Sequence, residues 1–232
     1  MSQRPFVGIF PHASNKLLTL FIDRLEKDFK SVNIDLEYLS GNSLKGGRTA
    51  VNLPVTLPYA QGFLLGSCST GGKCSFDTDL INGTLKTKLG LTETTMHVLK
   101  SDFIFVNKEV VSADGKISWK PAKAKLTNQI VTDTQGLPKA FAGDLAFNPI
   151  MISTVNSDKV IGTLSLKATA TSAKIYDGTD YKDITFKKVG DSLVFDLNQT
   201  PWSKSVKIIR DDQKGAEESL SVFALGPILL IK

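Results

Sequence analysis

The feature that most constrains the fold of this chain is an imbalance between one segment with helical periodicity and a long remainder with strand and turn patterns. Ser14 is a suitable helix N-cap, and residues 14–30 place apolar side chains at helical spacing with polar ones on the other faces. The apolar stripe consists of Leu17, Leu18, Phe21, Ile22, Leu25 and Phe29. This spacing predicts one N-terminal amphipathic α-helix over about residues 14–30.

The rest of the chain has the alternation and the turn signals of antiparallel strands. Residues 33–39 alternate apolar and polar side chains after the helical segment, and residues 5–10 suit a short strand before it, which together predict a β-α-β opening. The dipeptides that hairpin turns prefer occur at Asn82-Gly83, Asp114-Gly115, Asp177-Gly178 and Gly190-Asp191. We therefore expect a mainly β protein, an antiparallel β-sandwich or barrel-like sheets, with the one N-terminal helix.

The organisation along the chain suggests two halves. Residues 132–148 are rich in glycine, proline and small side chains, and they have no sustained periodicity. We interpret them as a connecting segment between an N-terminal half at 1–131, with the helix and several strands, and an antiparallel β half at 149–232. The two halves could equally form a single domain.

Charge and hydropathy exclude several classes of protein. The chain has 28 Lys and Arg against 23 Asp and Glu, and they are interleaved rather than gathered in a basic stripe, so we do not expect a nucleic-acid partner. The longest apolar run, 221–231, is short for a membrane span and contains Gly226 and Pro227. The N-terminal segment lacks the apolar core of a cleaved secretory signal, so we expect cytoplasmic synthesis without secretion.

The side chains that usually carry catalysis or bind metals are scarce. The two histidines, His12 and His97, lie in a turn and in a strand pattern, and no nucleophile motif is present. Cys68 and Cys74 are too few for a zinc site, and without a secretion signal we expect two reduced thiols, with a bridge across a hairpin loop as the alternative. We predict no catalytic residues, no metal ligands and no cofactor.

Two groups of residues are candidates for binding. Residues 41–49 resemble a phosphate loop but have Gly47 and Arg48 where its lysine and hydroxyl belong, so we interpret them as a flexible loop. The candidate partner-binding residues are Leu18, Phe21, Ile22 and Leu25 of the apolar stripe, with Lys45 and Arg48 of this loop. The candidate ligand-stacking residues are Tyr176, Tyr181 and Trp202. The alternatives are that the stripe packs on the chain's own sheet and that the rings cap the core.

The leading functional hypothesis is a non-enzymatic structural protein. It would be a β-rich subunit of a homo-oligomeric or hetero-oligomeric assembly, with a virus or phage particle as the natural setting and other protein subunits as partners. The second hypothesis is a carbohydrate- or ligand-binding β-sandwich that uses the three aromatic residues. The third is a hydrolase, which would need a cleft that brings two acidic side chains within about 5 to 10 Å of each other.

Overall fold

The computed structural model describes residues 4–25, 29–122, 128–210 and 217–232. Across these residues the protein is all-β and contains no helix, so the predicted N-terminal α-helix is wrong. The strands are β1 (Phe6–Pro11), β2 (Leu17–Arg24), β3 (Ser31–Ser40), β4 (Ser43–Val51), β5 (Tyr59–Leu64), β6 (Gly66–Cys68), β7 (Cys74–Phe76), β8 (Leu80–Gly90), β9 (Met96–Val106), β10 (Val110–Val111), β11 (Ile117–Pro121), β12 (Gln129–Asp133), β13 (Ile150–Thr154), β14 (Val160–Lys167), β15 (Ser172–Tyr176), β16 (Tyr181–Asp183), β17 (Lys187–Val189), β18 (Ser192–Gln199), β19 (Trp202–Arg210) and β20 (Glu217–Ile231).

The segment predicted as a helix forms strand β2, which pairs with β1 in an antiparallel hairpin instead of a β-α-β unit. Leu20 explains why a strand forms here. In a helix it would lie outside the apolar stripe, and with it every residue from Leu17 to Ile22 except Thr19 is apolar. Continuous apolar runs suit strands that are covered on both faces. Ser14 belongs to the β1–β2 turn, where its backbone N–H donates to His12 Nδ1. Residues 26–28 of the predicted helix lie outside the described residues.

In the described part of the chain the strands form a 13-stranded sheet, a five-stranded sheet and a two-stranded ribbon. The large sheet has the order β1-β2-β5-β19-β20-β13-β12-β9-β8-β3-β4, with β15 beside β20 and β16 beside β15. The small sheet has the order β10-β11-β14-β18-β17, and β6 pairs with β7. All of the ladders are antiparallel except the short parallel pairing of β5 with β19.

Three clusters of buried side chains hold these layers together. The N-terminal core joins the inner faces of β1, β2, β3, β8 and β9, and the C-terminal core packs the small sheet against β12, β13, β15 and β20. The central core contains Phe6, Phe10, Phe21, Ala60, Met151, Trp202, Val206, Ile208, Val222 and Ala224. Strand β12 contributes Ile130 to the N-terminal core and Val131 to the C-terminal core. The middle of the large sheet therefore packs against both cores.

Strand pairing crosses the predicted boundary between the halves. The large sheet contains β1–β5 from the first half and β13, β15, β16, β19 and β20 from the second. The predicted connecting segment begins within β12 and continues through Thr134, Gln135 and Leu137, which are buried. The Gln135 side-chain amide donates to the Leu85 carbonyl, and this hydrogen bond links the segment to β8. The division into two halves stays a prediction.

The structure confirms three of the four predicted hairpin turns. Turns occur at Asp114-Gly115, Asp177-Gly178 and Gly190-Asp191, and each glycine has a positive φ that a side chain would disfavour. Asn82-Gly83 instead lies inside β8, where it pairs with β9. The predicted flexible loop at 41–49 is also wrong, since only Gly41 and Asn42 form a turn and the remainder is strand β4.

The expectation of two reduced thiols is wrong as well. Cys68 and Cys74 form a disulfide that joins the directly paired ends of β6 and β7. The two strands bring the Cα atoms to 4.0 Å, within reach of a bridge, and the sequence between them supplies only a five-residue exposed loop. The alternative of a bridged hairpin was therefore the correct one.

Candidate functional site

A cleft of about 990 Å³ lies between the N-terminal part of the large sheet and the small sheet. One wall is formed by residues of β3, β8 and β9 together with Leu44 of β4, and another is formed by the turn between β10 and β11 at residues 112–117. The end of β12, residues 145–148 and Arg4 complete the lining. Strands separated in the sequence therefore build one concave surface, which is the usual form of a ligand site.

Most charged side chains on the walls of the cleft are paired with each other. Lys100 Nζ lies 3.1 Å from Asp102 Oδ1, and Lys116 Nζ lies 3.1 Å from Asp114 Oδ2. The Ser112 hydroxyl donates to Asp114, and this hydrogen bond, with one from the Lys116 backbone, lowers the pKa of Asp114 to about 2. The walls thus carry compensated charge.

Asp133 at the end of β12 is the exception. Its Oδ1 accepts a hydrogen bond from the backbone N–H of Asp102 at 2.6 Å, and its Oδ2 accepts one from Asn148 Nδ2 at 3.1 Å. Both donors are neutral, and no lysine, arginine or histidine among the described residues forms an ion pair with Asp133. Burial raises the pKa of Asp133 to about 6, and the charge of Asp102 adds to this rise.

Sequence reasoning did not find Asp133 or Asn148 as site residues. Both lie in the segment interpreted as a connection, 15 residues apart, and Asp102 lies 31 residues before Asp133. No motif links the three positions, since the contacts arise only when β9 pairs with β12. A lone aspartate at the end of an apolar strand, as in residues 129–133, was the one available signal.

Lys45 and Arg48 lie on β4, the last strand at one edge of the large sheet. Lys45 Nζ is 3.8 Å from Asp77, and Arg48 Nε donates to Asp35 Oδ1 at 2.6 Å. Both side chains are substantially exposed. The structure therefore places these two candidate residues on a surface that a partner can reach.

The apolar candidate residues lie in the interior. Leu18 and Ile22 belong to the N-terminal core, Phe21 belongs to the central core, and Leu25 is partly buried against the N-terminal core. Because the chain's own sheets cover them, they do not form a surface for a partner in this fold. Their packing matches the alternative that the stripe is covered by the chain itself.

The three aromatic candidates form a continuous series of ring contacts. Tyr176 lies between Tyr181 and Trp202, with ring centroids 5.4 and 6.1 Å away, and Phe141 contacts Tyr181 at 5.4 Å. Trp202 also contacts Phe10 at 6.0 Å, and its Nε1 donates to the Gly226 carbonyl. Because Trp202 is only 9% exposed, its ring face is not available to a ligand.

Metal-ligating and membrane-spanning features were sought in the described part of the chain. In ranges 4–25, 29–122, 128–210 and 217–232, no three His, Cys, Asp or Glu side chains are arranged to hold a metal ion. These residues also contain no helix long and apolar enough to cross a membrane. The hydrolase hypothesis finds a cleft with acidic side chains here, but Asp102 and Asp114 are tied to lysines, and the hypothesis stays untested.

Comparisons of the chain with models of protein families, with curated proteins and with solved structures found no match. Functional inference therefore depends on the cleft, the sheet edge and their chemistry.

Proposed function

We propose that this chain is a non-enzymatic subunit of a larger protein assembly and that the edge of β4 is the surface through which it joins a partner. The observation that carries this proposal is the position of β4, a nine-residue strand at the end of the large sheet. An exposed edge offers unpaired backbone groups, to which an extended segment of another chain can add as a further strand.

The pairing register identifies the backbone groups that face outward. Ser40 and Ser43 flank the two-residue turn, so they form a hydrogen-bonded pair, and such pairs alternate along the β3–β4 ladder. The residues whose backbone N–H and C=O point away from β3 are accordingly Leu44, Gly46, Arg48 and Ala50. In the described part of the chain, no backbone hydrogen bond satisfies this outer edge.

The charge of β4 favours a particular partner. The strand contains Lys45 and Arg48 and no acidic residue. Two copies of β4 side by side would bring these cations together, which disfavours pairing of the chain with itself along this edge. We propose that the partner is a different subunit with an acidic strand.

The setting proposed for the assembly is a particle such as a virus or phage, with synthesis in the cytoplasm. The Cys68–Cys74 disulfide fits the surface of a particle, because disulfides persist in oxidising environments, which include virion surfaces. The scarcity of catalytic groups in the sequence supports a structural role.

Site-specific photo-crosslinking in the native source tests this proposal. A photoreactive amino acid at Ala50, on the edge, is compared with one at Lys167, which is exposed on β14 but has neighbouring strands on both sides. We expect a discrete adduct with one partner from position 50 and none from position 167. Equal labelling from both positions, or no adduct from position 50, would contradict the proposal.

A matched pair of variants separates backbone pairing from charge. Arg48→Pro removes an outward-facing backbone N–H, whereas Arg48→Ala removes the same charge and keeps the N–H. We expect Arg48→Pro to abolish the adduct from position 50 and Arg48→Ala only to reduce it. Identical yields from the two variants would show that β4 does not add a strand.

A further inference from the structure

The cleft between the two sheets has the size of a small-molecule site, and Leu44 is the one residue of β4 among those that line it. Its volume of about 990 Å³ exceeds that of a single sugar-sized molecule and lies near the upper end of ordinary ligand pockets. The β8–β9 wall is part of an extensively paired sheet, and the turn of the opposite wall is held by hydrogen bonds from Lys116 and Ile117 to the Ser112 hydroxyl. Hydrogen bonds within the chain itself thus hold both walls.

Of the carboxylates that line the cleft, Asp133 is the one without an ion-pair partner among the described residues. The charged lining residues are Arg4, Glu37, Lys100, Asp102, Asp114, Lys116 and Asp133. Glu37 pairs with Lys86 at 3.0 Å, and the other two wall carboxylates pair with Lys100 and Lys116. Asp133 has only neutral hydrogen-bond donors. An ionised carboxylate has about four acceptor positions, and Asp133 uses two of them here.

The neutral side chains around Asp133 suit hydroxyl groups. Asn148 donates one hydrogen bond to Asp133 and keeps its carbonyl oxygen as an acceptor, and Asn82 on β8 supplies a second side-chain amide. Amides both donate and accept, so they match a hydroxyl, which also does both. Phe147 and Ile104 add apolar surface to the same space. This mixture fits a polyhydroxylated molecule better than an apolar one.

We propose that the cleft binds a small polyhydroxylated ligand that carries an alkyl ammonium group, with Asp133 as the partner of the ammonium and with the Asn82 and Asn148 amides as partners of the hydroxyls. A charge-assisted hydrogen bond to a partly buried carboxylate is stronger than a bond between neutral groups. A neutral ligand of the same shape would cover Asp133 without compensating its charge, so the cleft discriminates against it.

The affinity for this ligand should also depend on pH, and the protonation of Asp133 determines whether it rises or falls. Burial raises the pKa of this carboxyl to about 6, so it is ionised at pH 7.5 and largely protonated at pH 5. The other charged groups that line the cleft are Arg4, Glu37, Lys100, Asp102, Asp114 and Lys116. Lys100 pairs with Asp102 and Lys116 pairs with Asp114. Affinity for an ammonium ligand therefore falls as the pH decreases through about 6.

The experiment is a titration of the full chain by ¹H–¹⁵N NMR with glucamine, an amino polyol, and with sorbitol as its neutral counterpart. At pH 7.5 we expect glucamine to cause saturable shifts of the Asp102, Asp133 and Asn148 amides and to bind about tenfold or more tightly than sorbitol. We expect the shifts to weaken at pH 5. Equal binding of both probes, or no saturable binding of glucamine, would overturn the proposal.

Variants locate the site within the cleft. Asp133→Asn should weaken glucamine binding about tenfold or more, whereas Asp191→Asn, the same change in the exposed turn between β17 and β18, should leave it within about twofold. Asn148→Lys places an ammonium of the chain itself beside Asp133 and should block the probe, with the fold retained because position 148 is exposed. Unchanged binding in both cleft variants would contradict the assignment.

Discussion

Strands β2 and β4 have similar lengths but opposite environments. Each is the second strand of a hairpin in the N-terminal part of the chain, with eight and nine residues. In β2 the residues from Leu17 to Ile22 are buried on both faces, whereas β4 is exposed along most of its length. The difference arises because β2 has β5 on its second edge and the central core beneath it, while β4 ends the sheet.

The comparison shows that a strand can be stabilised in two ways. Strand β2 forms because consecutive apolar side chains bury area on both faces. Strand β4, with two glycines and two cations, has little preference of its own for a strand and forms because β3 supplies a continuous ladder of nine paired residues. Substitutions on β4 should therefore cost less stability than substitutions on β2.

The largest expected effect comes from removing a ring from β2. Phe21 is fully buried and packs edge-on against Phe10 and Phe6, with ring centroids 5.4 and 6.4 Å away. Phe21→Ala should lower the free energy of unfolding by about 3–5 kcal/mol, measured by urea denaturation. Leu44→Ala on β4, where the side chain is 69% exposed, should change it by less than about 0.5 kcal/mol. Similar losses in both variants would remove the distinction between the two strands.

The second prediction compares a partly buried carboxylate with one beside the sheet edge. The raised pKa of Asp133 means that the folded state binds its proton more tightly than the unfolded state does. Stability should therefore fall by about 2–3 kcal/mol as the pH rises from about 4 to 6 and then level off. Asp133→Asn should remove this decrease, which urea denaturation at stepped pH would measure.

The control for this prediction is Asp35 on β3, next to β4. Hydrogen bonds from Lys88 and Arg48 lower the pKa of Asp35, so its contribution to stability is present above the unfolded value and is lost only as the pH falls below about 4. Asp35→Asn should leave the change between pH 4 and 6 intact. A decrease that persists in Asp133→Asn and disappears in Asp35→Asn would reverse the assignment.

The third prediction concerns one hydroxyl on each strand. The Thr19 hydroxyl on β2 is buried and has no hydrogen-bond partner among the described residues, whereas the Thr49 hydroxyl on β4 donates to Gln61 Oε1 at 2.9 Å. Thr19→Val should stabilise the protein by about 1–2 kcal/mol, and Thr49→Val should destabilise it by about 0.5–1.5 kcal/mol. Thermal unfolding of the two variants decides this, and effects of the same sign would be inconsistent with it.

The smallest effect is expected from the charge at the edge. Arg48→Ala removes an exposed ion pair with Asp35, and Asp35 keeps Lys88 as a partner at 2.5 Å. The free energy of unfolding should fall by less than about 0.5 kcal/mol, in urea at low and at high salt. A loss above about 1.5 kcal/mol would mean that β4 depends on this pair rather than on the ladder with β3.

Much of the β architecture was predictable from local pattern. Alternation correctly indicated β3 around Ile34 and Leu36, and glycine turns correctly indicated the hairpins at Gly115, Gly178 and Gly190. The errors came where one pattern fits two structures. Residues 17–22 satisfy both a helical stripe and a doubly buried strand, and periodicity alone does not separate these for a short apolar run.

The candidate site was less predictable than the fold. Lys45 and Arg48 were found in the sequence as cations of a loop, but their position at a sheet edge follows from β3 and β8 pairing beside them. Asp133 was not found at all, because an aspartate after a strand is common and its meaning depends on what surrounds it. The Cys68–Cys74 disulfide likewise depends on the pairing of β6 with β7.

The sequence by itself determined that the chain is built mainly of strands, because alternating side chains and glycine turns act over a few residues. Only the tertiary structure decided that residues 14–30 contain no described helix, which strand lies at the edge, and that Asp133 meets Asp102 and Asn148 in a cleft. The physical reason is that burial and exclusion of water depend on contacts between distant segments. The stability of a strand and the pKa of a carboxyl both depend on neighbouring side chains, and these come from parts of the chain that are distant in sequence.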